Sequence, residues 1–373
     1  MLPRALVAER RAATAALLLT ALYTAVVLSS GRVDGRQFLQ LAGCYVLIAA
    51  LIAVAATMLL WLAAVLSLGL RSRFTASPFD DTRRRWRMLR AQGRIGSAAW
   101  PLIVFAVLLS AFNAFKQNVL PEAGFHLDPL LAQIDRDLLG GRDAGLLLHQ
   151  LIGSPAATWL LDRAYHAWFV PTSLGVAFVA FGADATLRSR YMLSYVLVWV
   201  LLGSALAFLL PAAGPCFYGA LVQAPSPFDP LREDLLHWQA ALGIGRPVMA
   251  LHYQQLLLDG LREGQLRIGR GISAMPSIHN ALAVLFALAG FRIRGWLGVL
   301  LAAFAALIWI GSIYLGWHYA VDGVIGGAGA ALIWFGVGAL LRRAERDAAT
   351  AVAPCGVDLP LSVRAATGRR GVL

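Results

Sequence analysis

The chain has 373 residues, of which 59% are hydrophobic and 14% charged, with a formal net charge of +12 and a mean hydropathy of +0.68. So apolar a balance excludes a soluble globular domain, whose helices keep a polar face. The positive charge argues for no nucleic-acid partner either: the basic residues are arginines apart from Lys116 and cluster between apolar runs, as topology signals and lipid-headgroup contacts do.

Eight apolar runs, each near the ~20 residues that cross a bilayer, are expected to be membrane helices. They fall at 12–30, 37–68, 98–115, 156–183, 191–210, 276–291, 296–314 and 319–341. The expected fold is an all-α polytopic membrane helix bundle. Residues 1–97 supply two N-terminal transmembrane helices and an Arg-rich loop, 98–341 a six-helix core, and 342–373 a tail without regular structure. No period of 20–50 residues recurs, which argues against a solenoid. No small-residue cleavage site follows the first apolar run, so it does not read as a cleaved signal peptide. Cys44, Cys216 and Cys355 have neither metal-ligand spacing nor a disulfide pattern.

Orientation follows from the arginines. With the N-terminus in the cytoplasm, the segments around Arg4, Arg10 and Arg11, the loop 69–97, the turns at Arg188–Arg190 and Arg292–Arg294, and the tail all face inside. Together they hold 21 of the 32 basic residues. The positive-inside rule therefore expects both termini in the cytoplasm of a bacterial inner membrane, with 116–155 and 211–275 outside. Within those outer segments, Leu146-Leu147-Leu148 suggests an interfacial or re-entrant helix, and 247–261 an amphipathic helix on the bilayer surface.

Chemistry is concentrated at the outer ends of the last three spans. One segment reads Arg270-Gly271-Ile272-Ser273-Ala274-Met275-Pro276-Ser277-Ile278-His279. The other runs Gly311-Ser312-Ile313-Tyr314-Leu315-Gly316-Trp317-His318-Tyr319-Ala320-Val321-Asp322. Ionisable residues at bundle-facing helix ends are functional candidates by default. Pro276 suits a first helical turn, and the free N–H groups after it, with the Ser277 hydroxyl, make an anion site near His279. His318 and Asp322 are spaced i, i+4, on one helical face. A carboxylate on one imidazole nitrogen makes the other a better nucleophile or base. Two histidines, an aspartate, a serine and a helix-end anion site suit phosphoryl transfer.

The sequence Ala-Met-Pro-Ser-Ile-His, followed about forty residues later by Tyr-Leu-Gly-Trp-His-Tyr-Ala-Val-Asp, resembles the second and third motifs of the type-2 phosphatidic acid phosphatase superfamily. The resemblance spans roughly 98–341. It implies that His318 attacks phosphorus to give a phosphohistidine, that Asp322 orients it, that His279 protonates the leaving oxygen, and that Ser277 holds phosphate oxygens. The family's phosphatases carry a Lys…Arg-Pro first motif, whereas Pro211-Ala212-Ala213-Gly214-Pro215-Cys216-Phe217-Tyr218 contains no basic residue, and Ser312 stands at the family's third-motif Arg position. The tyrosine-rich third motif and the Gly-Pro-x-x-Tyr element are similar instead to the inositol phosphorylceramide synthase branch. A site poorer in cations suits a singly charged phosphodiester better than a nearly dianionic monoester.

The expected activity is therefore a lipid phosphotransferase acting on a phospholipid donor and a lipid or water acceptor among membrane lipids. A lipid phosphate phosphatase and a non-enzymatic lipid-binding protein are the alternatives. Arg270 and Lys116 are candidate replacement cations, and Tyr218 and Tyr314 candidate substrate contacts. Taken alone, Ser277 is as well read as a helix cap, Tyr314 as part of an interfacial aromatic belt, and Lys116 as a snorkelling side chain. No cofactor and no metal are expected: a zinc hydrolase lacks its ligand pattern. A serine protease is disfavoured because Ser277 and His279, two apart on one helix, diverge. A transporter would place its charges at the midplane instead.

Overall fold

The structure, a computed structural model, describes residues 4–72, 77–91, 94–263 and 266–350. It is 82% helical, and no strand occurs among the described residues, so the all-α membrane bundle is what the chain forms. The helices of more than two turns are α1 Arg4–Ser29, α2 Gly35–Ser72, α3 Pro78–Ala91, α4 Arg94–Asn118, α5 Asp128–Leu138, α6 Ala144–Ile152 and α7 Pro155–His166. They continue with α8 Phe169–Phe181, α9 Ala185–Leu209, α10 Asp229–Leu242, α11 Met249–Glu263, α12 Ile278–Ile293, α13 Gly295–Tyr314 and α14 Ala320–Thr350.

Seven spans among the described residues are long and apolar enough to cross a membrane, against the eight expected. The difference is α12. The sequence suggests that it opens at Pro276, but Ser277 is the N-cap, its hydroxyl accepting from Asn280 N at 3.4 Å, and the helix starts at Ile278. Its 16 residues reach only about 24 Å. Most of its side chains are buried, because it packs against α13 and α14 inside the bundle. The span expected at 156–183 is built from two helices, α7 and α8, with a break at Ala167 and Trp168. At the other end of the core, α14 continues past the expected span to Thr350, and residues 351–373 lie outside the described ones.

Large apolar side chains on α1, α2 and α13, such as Leu18, Met58, Leu59 and Leu300, are exposed and face the lipid. The two N-terminal helices are not loosely appended. α1 packs on α9 and α4, and α2 on α4. Glu9 of α1 and Arg188 of α9 form an ion pair of 2.7 Å, with both side chains only 5% exposed. Arg188 also donates to Val179 O at 2.8 Å and Ala183 O at 2.6 Å, so each of its three guanidinium nitrogens has a partner in the interior. Nearer the other end, Tyr23 of α1 hydrogen-bonds Ser204 at 2.7 Å, inside a π-helical stretch of α9, Val198–Leu206.

Helices α6 and α11 occupy the two segments where short outer helices are expected. Met249 N and Ala250 N, at the start of α11, donate to the buried carboxylate of Asp162 on α7 at 2.8 and 2.9 Å. α11 is thereby docked on the bundle at the end where the histidines lie.

Candidate active site

Three loop segments meet there through backbone hydrogen bonds. Ala274 N donates to Ala212 O and Cys216 N to Gly316 O, each at 2.8 Å, and Ser277 N donates to Asp322 O at 3.1 Å. Close approach depends on two glycines. Gly214 has φ +99°, and a Cβ there would stand 2.5 Å from Trp317 O. At Gly326, on α14, a Cβ would stand 2.4 Å from Ser277 O. The apolar segment 211–218 is thus pressed directly onto both histidine-bearing segments.

His279 lies in the first turn of α12, and His318 just before α14, their ring centroids 6.4 Å apart. Asp322 is fully buried in the first turn of α14, with Oδ2 3.4 Å from His318 Nδ1. That contact is longer than a good hydrogen bond, as catalytic contacts commonly are before substrate binds. Tyr319 N holds the same Oδ2 at 2.9 Å. With Nδ1 turned toward the carboxylate, Nε2 is the free face of the His318 ring. His279 is fixed by stacking on Tyr165 at 5.2 Å, by Trp168 at 4.4 Å, and by the Trp168 indole N–H donating to its carbonyl at 3.1 Å. Neither aromatic has a marker in the sequence motifs.

The other expected site residues divide. Ser277 is fully buried; besides capping α12 it accepts from Asn280 Nδ2 at 2.9 Å. Ser312 donates to Trp309 O at 2.8 Å. Lys116, in the last turn of α4, is partly buried and makes no ion pair among the described residues. It packs on Gly271, where a Cβ would meet its Cγ at 2.9 Å, and it is an electrostatic neighbour of His279. Arg270 is buried but paired with Glu263 on α11 at 2.7 Å. Tyr218 packs against Phe228, which in turn packs against Tyr319 beside His318. Tyr314 turns elsewhere: its hydroxyl bonds Thr158 at 2.7 Å and its ring stacks on Trp238. Among the described residues Lys116 is therefore an unpaired cation near His279, and Arg270 is not.

Two carboxylates on α5 hold this arrangement, and sequence reasoning passed over both. Asp128 accepts from Ala213 N and Gly214 N at 2.8 Å each and from the Tyr319 hydroxyl at 2.9 Å. Asp135 accepts from Ala320 N at 2.6 Å and Val321 N at 3.1 Å, satisfying the start of the helix that carries Asp322. Burial raises both carboxyls above the usual carboxylate range, and the N–H donors offset part of that rise. One signal was available: Asp128, Leu131, Ala132 and Asp135 occupy a single helical face, and all four are buried. Replacing Asp135 by alanine leaves two helix-start N–H groups without an acceptor, at a cost of about 1–2 kcal/mol. The expected result is a lower unfolding temperature and a kcat reduced about tenfold with KM little changed. An unchanged kcat in a folded Asp135→Ala protein would show that the α14 start needs no such support.

No group of three or more His, Cys, Asp or Glu side chains able to hold a metal occurs among the described residues. What fold and site define is a multi-pass membrane protein with a paired-histidine, carboxylate-backed centre at one end of its helices. The sequence model described as "PAP2 superfamily" matches residues 130–337, more than half of the chain, and the chain belongs to that superfamily. Its members are phosphatases and phosphotransferases, and the match includes α12, α13, both histidines and Asp322. No curated protein and no solved structure matches the chain.

Proposed function

We propose that the protein is a lipid phosphotransferase that moves a phosphorylated headgroup from a phospholipid to a lipid alcohol through a phosphohistidine on His318. The reading rests on one observation above all: two histidines face each other across 6.4 Å, one backed by a buried aspartate. A nucleophile needs about 3–3.5 Å to phosphorus, and a hydrogen bond to the leaving oxygen spans about 3 Å. One phosphorus fits between the rings.

In the first step His318 Nε2 attacks phosphorus. The N–P bond forms as the bond to the diacylglycerol oxygen breaks, and that oxygen takes a proton from His279. In the second step the acceptor hydroxyl gives its proton to His279 and attacks phosphorus, and the N–P bond breaks. Asp322 is a positioning residue that stabilises the imidazolium.

Preference for a diester is supported by the distribution of charge. The segment 211–218 is apolar, Ser312 is neutral, Arg270 is matched by Glu263, and among the described residues Lys116 is the unpaired cation near His279. One cation balances a singly charged diester, whereas a monoester needs more. The deciding assay sets phosphatidic acid and prenyl phosphates against phosphatidylinositol and related diesters, each with and without a lipid alcohol. The expected result is acceptor-dependent headgroup transfer from diesters; faster release of inorganic phosphate from the monoesters would make the protein a lipid phosphatase instead.

The arginine distribution further supports a bacterial inner-membrane protein with its histidine centre outside and both termini cytoplasmic. In a cysteine-free background, Glu233→Cys is expected to react with an impermeant thiol reagent in intact cells, and Arg87→Cys is not. The reverse pattern would invert the topology.

A further inference from the structure

At the end of the bundle opposite the histidines, the start of α9, the end of α12 and the C-terminal half of α14 enclose a cleft of about 460 Å³. Arg292 lies 13 positions along α12 from His279, and Arg342 lies 20 along α14 from Asp322, which puts the cleft ~20–30 Å from the proposed phosphoryl-transfer centre. Three arginines line it, Arg190, Arg292 and Arg342, and Arg190 has the other two as its like-charged neighbours. None of them makes an ion pair among the described residues. Two acids share the wall: Asp184 is engaged as the N-cap of α9, accepting from Leu187 N at 2.8 Å, and Glu345 is exposed and does not reach any of the three.

The cleft is built rather than incidental. The Arg190 guanidinium lies 4.0 Å over the Trp334 ring, and its Nε and Nη2 both donate to Trp334 O at 3.1 Å. Gly338 makes room for it, since a Cβ there would stand 2.6 Å from Arg190 Cζ. The guanidinium is thereby held in one place, with Nη1 left without an acceptor. Three like charges gathered without an ion pair to either acid repel one another, and an anion among them relieves that cost. Planar guanidinium forks match phosphate oxygens, and basic pockets between transmembrane helices on this kind of face take lipid headgroups. Leu187 and Leu341 on the same wall offer apolar contact that a lipid glycerol and first acyl carbons would use and a free inorganic anion would not.

We propose that this cleft binds the phosphate of an anionic phospholipid headgroup, in the leaflet opposite the histidine centre, and so clamps α14 to α9 and α12. The ligand chemistry is a phosphate anion; the apolar wall assigns it to a lipid. The site stands independently of the reaction proposed above.

Native mass spectrometry of the detergent-purified protein, offered equimolar phosphatidylglycerol and phosphatidylcholine, tests it. The expected result is one retained phosphatidylglycerol per chain, preferred at least tenfold, with the preference lost in the Arg292→Gln/Arg342→Gln protein. Both of those arginines are exposed, so that variant keeps its packing, and Arg190→Gln is not required. Thermal unfolding supplies a second readout: phosphatidylglycerol should stabilise the wild type and not the variant. Equal retention of the two lipids by the wild type, or an undiminished preference in the variant, would overturn the site. Stabilisation by sodium phosphate equal to that by phosphatidylglycerol, at matched ionic strength and lost in the same variant, would overturn the lipid assignment in favour of a soluble anion.

Discussion

His318→Ala is expected to abolish turnover, and His279→Ala to do the same. His318 supplies the atom that bonds to phosphorus: its ring has a buried carboxylate behind it and the ring of His279 facing it at 6.4 Å. The alanine variant leaves the buried Asp322 carboxylate with only the Tyr319 N–H as partner, which costs stability as well as activity. His318→Asn is therefore the better companion, since its amide can still face Asp322 while offering no nucleophile. Asp322→Asn should retain more, with a loss of about 10²–10⁴, because the imidazole keeps part of its orientation but the imidazolium is no longer stabilised. One histidine must begin neutral and the other protonated, so the wild-type pH–rate profile is expected to be bell-shaped. Turnover near the wild-type level in a folded His318→Asn protein would end the covalent mechanism.

The second large effect is expected at Lys116. It is the unpaired cation beside His279, seated on Gly271 just ahead of the second motif segment. A charge-assisted contact to a phosphate oxygen is worth about 1.5–3 kcal/mol, or about ten- to a hundredfold in kcat/KM. Lys116→Gln should lose that much on a phosphodiester, and Lys116→Arg should recover part of it, short of full activity because Arg is not an equivalent point charge. Unaltered kinetics in Lys116→Gln would mean that the ammonium serves the bilayer interface rather than the substrate.

The resemblance stated from two short segments led to the superfamily that the chain belongs to, because the spacing of His318 and Asp322 and the Pro-Ser-x-His step are local and survive in one dimension. The apolar runs were legible for the same reason, each being a local property of length and hydropathy. What escaped was what depends on partners from distant segments. Asp128 and Asp135 look like ordinary surface acids of an amphipathic helix until loops 85 and 185 or more positions away bring them backbone N–H groups. Arg270 is a nearer case: it reads as a spare cation until the fold sets Glu263, seven positions before it, at its side. The late start of α12 turns on a choice between Pro276 as first helical residue and Ser277 as cap, which the capping hydrogen bond decides. Tyr165 and Trp168 carry no motif because stacking on an imidazole needs only an aromatic ring at the right place.

The buried pair between Glu9 and Arg188 has a consequence in time. Its members are 179 positions apart, so the ribosome delivers the acid long before the base that neutralises it. At about 5–20 residues per second, the wait is on the order of ten to thirty seconds. Throughout it α1 carries a carboxylate that belongs in a closed interior and has no interior to enter. That carboxylate must stay at the hydrated rim of the membrane or be held by another molecule, while α2 to α8 emerge. The order of synthesis is thus the reverse of the order of need, and the first helix made is among the last to be locked.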